Sequence, residues 1–250
     1  MLKMHKNLPC GAIIIVRLKS KRLENKALLK IDKKNSIIEY LIIKLKKIFE
    51  DKNIVLATSH KSKDKKLISI AKKKNINFFQ GEAIDVLKRI YLSARKNNFT
   101  NVFISTADNP MIDIILAKKM IRYHIKYKKD FTSAYQMPLG TYGWVLKVSS
   151  IKKILLKKKR KDTEIWGDFF LKNKKMKCTE FMYKSKKKVP FKMRLTVDTK
   201  EDLKLVKFIL KISSKKFPNL NQIEDIMLKN EQIFRTNLKI KQKAKPKKIY

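Results

Sequence analysis

The run Ala12-Ile13-Ile14-Ile15-Val16 sets the strongest constraint on this chain. It is a continuous apolar block, nearly all β-branched, and Arg17 ends it abruptly. A strand with one wet face would alternate apolar and polar residues. A continuous block instead belongs to a strand buried on both faces, as in parallel sheets covered by helices. The next segments repeat the theme. Ser36 stands before an apolar stripe of Ile38, Leu41, Ile42, Leu45 and Ile48, which predicts a capped helix over 37–49. Strands are predicted over 53–58, 76–79 and 101–106, and helices over 64–74, 83–96 and 113–127. Strand and helix thus alternate from the first run to Tyr127, which calls for a doubly wound, Rossmann-like α/β domain with a mostly parallel sheet flanked by helices. The second half is less regular. Strands are predicted over 131–135, 178–183 and 191–197, helices over 149–159, 200–212 and 219–234, and a glycine-bearing loop over 137–144. A single domain over 1–238 is expected, with 239–250 as a basic, disordered tail.

Charge is the extreme of the composition: 63 Lys and Arg against 21 Asp and Glu, a net +42 over 250 residues. Only 8 of the basic residues are Arg, whereas nucleic-acid interfaces favour the guanidinium fork. The chain is also rich in Ile (31) and poor in Ala (10) and Gly (5), the bias of A/T-rich codons, so composition accounts for the lysines without a specific nucleic-acid partner. Cys10 and Cys178 supply neither metal spacing nor a disulfide framework, and a reduced cytoplasmic chain is expected. The 12–16 run is too short for a signal peptide or a membrane span, and no membrane insertion is expected.

Ligands of open α/β sheets bind beyond the carboxyl ends of the strands. After the first strand comes Arg17-Leu18-Lys19-Ser20-Lys21-Arg22-Leu23-Glu24-Asn25-Lys26, a long cationic loop with no glycine, so neither a Walker A nor a GxGxxG loop. Two of the eight arginines in R-x-x-S-x-R favour phosphate over a merely solvated lysine loop. Asp108 follows the fourth strand and Asp198 follows the predicted 191–197 strand. Together they suit one Mg²⁺, a hard cation held by carboxylates and substrate phosphates. Taken singly, Asp108 reads equally as a turn residue and Asp198 as a helix cap. Gly81 allows a close approach, Asp85 and Arg89 share one helix face as a ligand pair or a surface ion pair, and Thr58 ends the second strand.

At these residues the chain resembles the sugar cytidylyltransferases, including the 3-deoxy-manno-octulosonate and acylneuraminate enzymes and, most closely, the spore coat polysaccharide biosynthesis protein F type. The resemblance rests on R-x-x-S-x-R-L-x-x-K at 17–26, Ala57-Thr58-Ser59, Gly81 with Asp85-Val86-Leu87 and Arg89, Thr106-Ala107-Asp108-Asn109-Pro110, and Thr196-Val197-Asp198-Thr199 with Glu201-Asp202-Leu203, in that order. It implies a nucleotide-diphosphosugar-transferase fold and transfer of CMP from CTP to a sugar hydroxyl with release of pyrophosphate. It implies that Arg17, Arg22 and Lys26 hold the triphosphate, that Ser20 supports their loop, and that Asp108 and Asp198 bind Mg²⁺. Arg17, Lys26 and Asp108 are then the catalytic set. Thr58, Gly81, Asp85 and Arg89 line the nucleotide pocket. Gly140, Tyr142, Glu164 and Trp166 fall in segments similar to the family's acceptor side, and a homodimer is implied. Two departures stand out: Glu24-Asn25 replaces the usual Pro-Gly, and the Ser-Gly-Thr-Asp-Arg segment of the octulosonate enzymes is absent.

Two rival readings make different demands. A GT-A-type glycosyltransferase on the same fold expects a D-x-D motif near the middle of the sequence, which Asp108-Asn109-Pro110 is not. A basic polyanion-binding protein expects affinity that falls steeply with salt, and no aromatic-interleaved basic strand supports it.

Overall fold

A computed structural model describes residues 10–19 and 22–242. Ser20, Lys21 and the 243–250 portion of the basic tail lie outside the described residues. The apolar run does become a strand buried on both faces. β1 (Cys10–Ile15) sits between β2 (Ile54–Ser59) and β4 (Asn101–Thr106), parallel to both. With β3 (Asn77–Gly81), β5 (Phe131–Tyr135), β6 (Trp144–Lys147) and β7 (Cys178–Met182) these form one sheet in the order β3-β2-β1-β4-β6-β5-β7. Only β6 runs antiparallel to its neighbours. The strand order reverses between β1 and β4, the switch point at which such sheets open a crevice.

The two faces of the sheet divide the core by period two. Ala12, Ile14, Leu56 and Phe103 pack under α1 (Ile37–Leu45), α2 (Lys65–Lys73) and α4 (Ile114–Lys126). Ile13, Val55, Val102 and Ile104 pack under α3 (Val86–Lys96), α5 (Val148–Lys157) and α6 (Gly167–Leu171). A third cluster joins Met193, Leu195 and Val197 to α7 (Lys200–Ile212), α8 (Leu220–Lys229) and α9 (Glu231–Arg235).

Four expectations need correction. The 191–197 segment is no sheet strand. It makes a single bridge, Leu139 to Arg194, because β6 already pairs the edge of β4. The 137–144 loop runs directly into that unforeseen strand β6. Helix α1 stops at Leu45 because Lys47 and Ile48 donate to carbonyls three residues back, tightening the last turn. The predicted 219–234 helix breaks at Asn230, whose backbone leaves helical space.

Among the described residues, one lysine of the coat is buried. Lys44 on α1 is fully buried, donates to the Pro110 carbonyl at 3.2 Å, and is lowered to about 7 by burial. Its folded value lies below its ordinary 10.5, so this group costs stability below pH 7 and the cost fades as pH rises toward 10.5. Lys44→Met is therefore expected to stabilise the protein by about 1–3 kcal/mol at pH 7, raising the thermal midpoint by roughly 2–4 °C per kcal/mol. The gain should shrink in melts at higher pH; a gain that grows with pH would contradict the assignment.

Candidate active site at the switch point

The loop after β1 is tied down at its first residues. The Leu18 amide donates to Asp64 Oδ1 at 2.8 Å, and Ser59 Oγ donates to Asp64 Oδ2 at 2.5 Å, so the buried Asp64 fastens the loop to the end of β2. Arg17 then reaches sideways: Nη1 donates to the Ala83 carbonyl at 2.7 Å and Nη2 pairs with Glu164 Oε1 at 2.9 Å. Beyond Asn25, held at φ 47°, Lys26 begins a short turn and points back into the crevice.

There Lys26 Nζ lies 2.7 Å from Asp108 Oδ2 and 2.7 Å from Asp198 Oδ1. Arg22 Nη2 is 2.9 Å from the same Asp198 oxygen, and Arg22 Nη1 donates to the Lys241 carbonyl at 3.3 Å. Asp108 and Asp198 stand 82 and 172 positions beyond Lys26 in sequence. They meet it because the 194–197 backbone is stitched beside the β4 turn. Val197 donates to the Asp108 carbonyl at 2.7 Å, and Leu195 to the Leu139 carbonyl at 2.7 Å. Gly140 makes the second contact possible. Its φ is +98°, and a Cβ there would fall on the Leu195–Thr196 peptide. Asp198 is not the cap of α7: Thr199 is, in a capping box with Asp202. That leaves the Asp198 carboxylate for the crevice.

Behind Asp198 stands an element that the sequence pattern does not single out. Arg194 donates from Nη2 to Asp198 Oδ2 at 2.9 Å and from Nε to Asp202 Oδ1 at 2.9 Å, all three side chains being buried. Asn237 braces the group by donating to Asp202 Oδ1 at 2.8 Å and to the Arg194 carbonyl at 3.0 Å. Burial alone would raise the Asp198 carboxyl, but Lys26, Arg22 and Arg194 outweigh it and hold it below the ordinary carboxylate range. Burial alone would lower Lys26; Asp108 and Asp198 reverse that and hold it charged.

The other expected residues divide by environment. Arg89 is fully buried, with Nη1 on the Glu82 carbonyl at 2.5 Å while Nε and Nη2 have no partner. Burial and the nearby Arg17 lower it to about 10. Thr58 Oγ1, at the end of β2, is likewise buried without a partner. Gly81 ends β3 against Arg89, whose Cγ would lie 3.2 Å from an added Cβ. Asp85 is engaged within the protein: it caps α3 through the Lys88 amide, accepts from Thr163 Oγ1 at 2.9 Å and pairs with Lys158 at 2.6 Å. These bonds dock the segment carrying Glu164 and Trp166 onto α3. Tyr142 meets Trp144 edge-on at 5.9 Å, and Trp144 meets Trp166 at 5.3 Å; Trp166 itself is buried against Phe131 and Phe170.

This constellation sits within a chain whose residues 11–240 match the cytidylyltransferase family model. The chain belongs to the cytidylyltransferase family. It is 30% identical to an uncharacterized protein of Methanocaldococcus jannaschii over 93% of its own length and 96% of the relative's. It is 27% identical to the spore coat polysaccharide biosynthesis protein SpsF of Bacillus subtilis, covering 87% and 92% of the two chains. Among solved structures it is similar to a cytidylyltransferase from Leptospira borgpetersenii, with TM-score 0.82, 23% identity, and 92% and 98% of the two chains covered. It is also similar in fold to CMP:2-keto-3-deoxy-manno-octonic acid synthetase complexed with CTP, with TM-score 0.61, 12% identity, and 81% and 98% covered.

Metal chemistry fits the candidate site in one place. Among the described residues no three His, Cys, Asp or Glu side chains cluster as ligands. Asp108 and Asp198 nevertheless aim two hard oxygens at one point, which a cation already fills in the form of the Lys26 ammonium. Such a pair can hold a divalent ion that completes its shell with phosphate and water. No helix among the described residues is long and apolar enough to cross a membrane.

Proposed function

We propose that this protein transfers CMP from CTP to a sugar hydroxyl and releases pyrophosphate, making an activated sugar for surface polysaccharide synthesis. The observation that carries the reading is the meeting of Arg22 and Lys26 with Asp108 and Asp198 at the β1/β4 switch point. The name of the Bacillus subtilis relative supports the polysaccharide context, and the CTP complex of a structural neighbour supports the nucleotide.

In this reading Arg17, Arg22 and Lys26 bind the triphosphate and neutralise the charge gathered on the departing pyrophosphate. Asp108 and Asp198 hold Mg²⁺, which when bound polarises phosphate oxygens. Asp64 keeps the loop in register by its bond to the Leu18 amide. Thr58 and Arg89 keep unpaired donors at the end of the sheet for the nucleotide. The acceptor oxygen bonds to the α-phosphorus as the bond to pyrophosphate breaks and gives up its proton to solvent water, with Glu164 accepting a hydrogen bond from the acceptor and Tyr142 walling its subsite.

Thermal shifts with the four nucleoside triphosphates and Mg²⁺ test the base. A selective shift with CTP is expected, followed by pyrophosphate release from CTP and an acidic sugar. Stabilisation by another nucleotide alone, or turnover of a ready-made sugar nucleotide, would overturn the reading. A smaller effect is expected at Glu164, which competes with the triphosphate for Arg17. The pair is part-exposed and worth at most about 1 kcal/mol, so Glu164→Gln should tighten CTP binding by up to about fivefold in calorimetry. Weaker CTP binding in that variant would instead give Glu164 a supporting role.

A further inference from the structure

Every cation assigned to the triphosphate is paired with a carboxylate assigned to something else. Arg17 holds Glu164, Arg22 holds Asp198, and Lys26 holds both Asp108 and Asp198. The four pairs are not equivalent. Asp198 has two arginines besides Lys26: Arg22 on Oδ1 and Arg194 on Oδ2. Asp108 has no other ion pair among the described residues; its second oxygen accepts from the neutral Thr106 hydroxyl at 2.5 Å. Removing the Lys26 ammonium therefore leaves Asp108 without a counter-charge, facing a second carboxylate across the crevice.

We propose that Lys26 occupies the metal position between Asp108 and Asp198 until a triphosphate draws it away, so that divalent cation and nucleotide bind as an interdependent pair. This rests on the assignment of those two aspartates to the metal. The argument is one of exchange. A divalent ion and the ammonium seek the same two oxygens, and like charges cannot share them. The ion arriving alone must expel Lys26 into a crevice already lined by Arg17 and Arg22. The nucleotide arriving alone takes Lys26 and strands Asp108 beside Asp198. When both arrive, Lys26 gains phosphate oxygens as the aspartates gain the metal, and neither Lys26 nor the two aspartates lose their counter-charge. Lysine suits this exchange: its ammonium is a point charge on a flexible stem, whereas the rigid fork of Arg194 stays behind Asp198. The same coupling must act in both directions, the metal strengthening nucleotide binding as much as the nucleotide strengthens the metal.

The test is Mn²⁺ binding to the full-length protein, followed by electron paramagnetic resonance with and without a non-hydrolysable CTP analogue. Wild type should bind Mn²⁺ weakly alone and more tightly with the analogue, by a factor in the usual range for coupled sites, roughly 5–150-fold. Lys26→Met should bind Mn²⁺ alone about tenfold or more tightly than wild type and lose most of the enhancement by nucleotide. Lys26→Gln, which keeps a polar group in the crevice and guards against a folding defect, should shift the same way. Asp108→Asn should bind Mn²⁺ poorly in either condition. If Asp108→Asn abolishes binding but neither Lys26 variant tightens it, the exchange is overturned while the metal assignment stands. If Mn²⁺ binds equally well to Asp108→Asn and Asp198→Asn, the metal assignment falls and the exchange with it.

Discussion

Asp108→Asn should leave a folded protein that releases pyrophosphate from CTP about a thousandfold more slowly than wild type. The substitution keeps the size and the hydrogen bond from Thr106. It also keeps the Asp108 backbone carbonyl, which accepts from Val197 at 2.7 Å and from Thr196 Oγ1 at 3.1 Å and so stitches the two halves of the site together. What it removes is one negative charge at a part-exposed position. That charge contributes little to stability at such exposure, so the thermal midpoint should barely move. Its contribution to catalysis is larger in the proposed function, because the proposed metal position would lose one of its two anionic ligands. Stabilisation of developing charge by a bound ion is worth several kcal/mol, and each ~1.4 kcal/mol is tenfold in rate. The measurement is kcat/KM for pyrophosphate release at saturating Mg²⁺ beside a thermal melt. Activity within a few-fold of wild type would remove Asp108 from the catalytic set, and a collapsed melt would make it a structural residue.

The first half of this site was legible because its signals are local. The buried strand Ala12 to Val16, the cationic loop and Asp108 after β4 each follow from their own segment, and doubly wound topology brings strand ends to one edge. Asp198 reaches the candidate site by a route other than the expected strand. No sheet strand leads to it; backbone bonds to Asp108 and Leu139 hold its segment, and such long-range stitching leaves no period in the sequence. Arg194 and Asp202 are not legible in the sequence, because each reads alone as a surface charge beside a helix. One signal was available: Arg194 is one of only eight arginines among many lysines, which marks a place where a fork is needed rather than a charge. Asp64 carried no such mark, since an aspartate before a helix is ordinary. Asp85 shows the opposite case, where spacing suggested a pair with Arg89 and the fold instead gave it Lys158 and Thr163. Ser20 lies outside the described residues.

Arg194→Met should be the most destabilising single change at the site. Arg194 joins Asp198 and Asp202, and all three are buried, Asp202 completely. Removing one partner of a buried ion group leaves uncompensated charge, which costs about 3–5 kcal/mol. Here Asp202 loses its one ion pair among the described residues while Asp198 keeps Lys26 and Arg22, and at roughly 2–4 °C per kcal/mol the midpoint falls by about 6–20 °C. Arg194→Lys should recover only part of this, because one ammonium cannot reproduce the fork that reaches Asp198 from Nη2 and Asp202 from Nε. The pH dependence separates this ionic role from simple loss of packing. Against burial, Lys26 and Arg22 first and Arg194 after them hold Asp198 below the ordinary aspartate value, so the share of this pairing that Arg194 supplies stabilises above that value and is lost as pH falls through the lowered one. The gap between wild type and Arg194→Met should therefore narrow on acidification below the ordinary aspartate range. A gap that stays constant from neutral to acidic pH would show that Arg194 acts there by filling space.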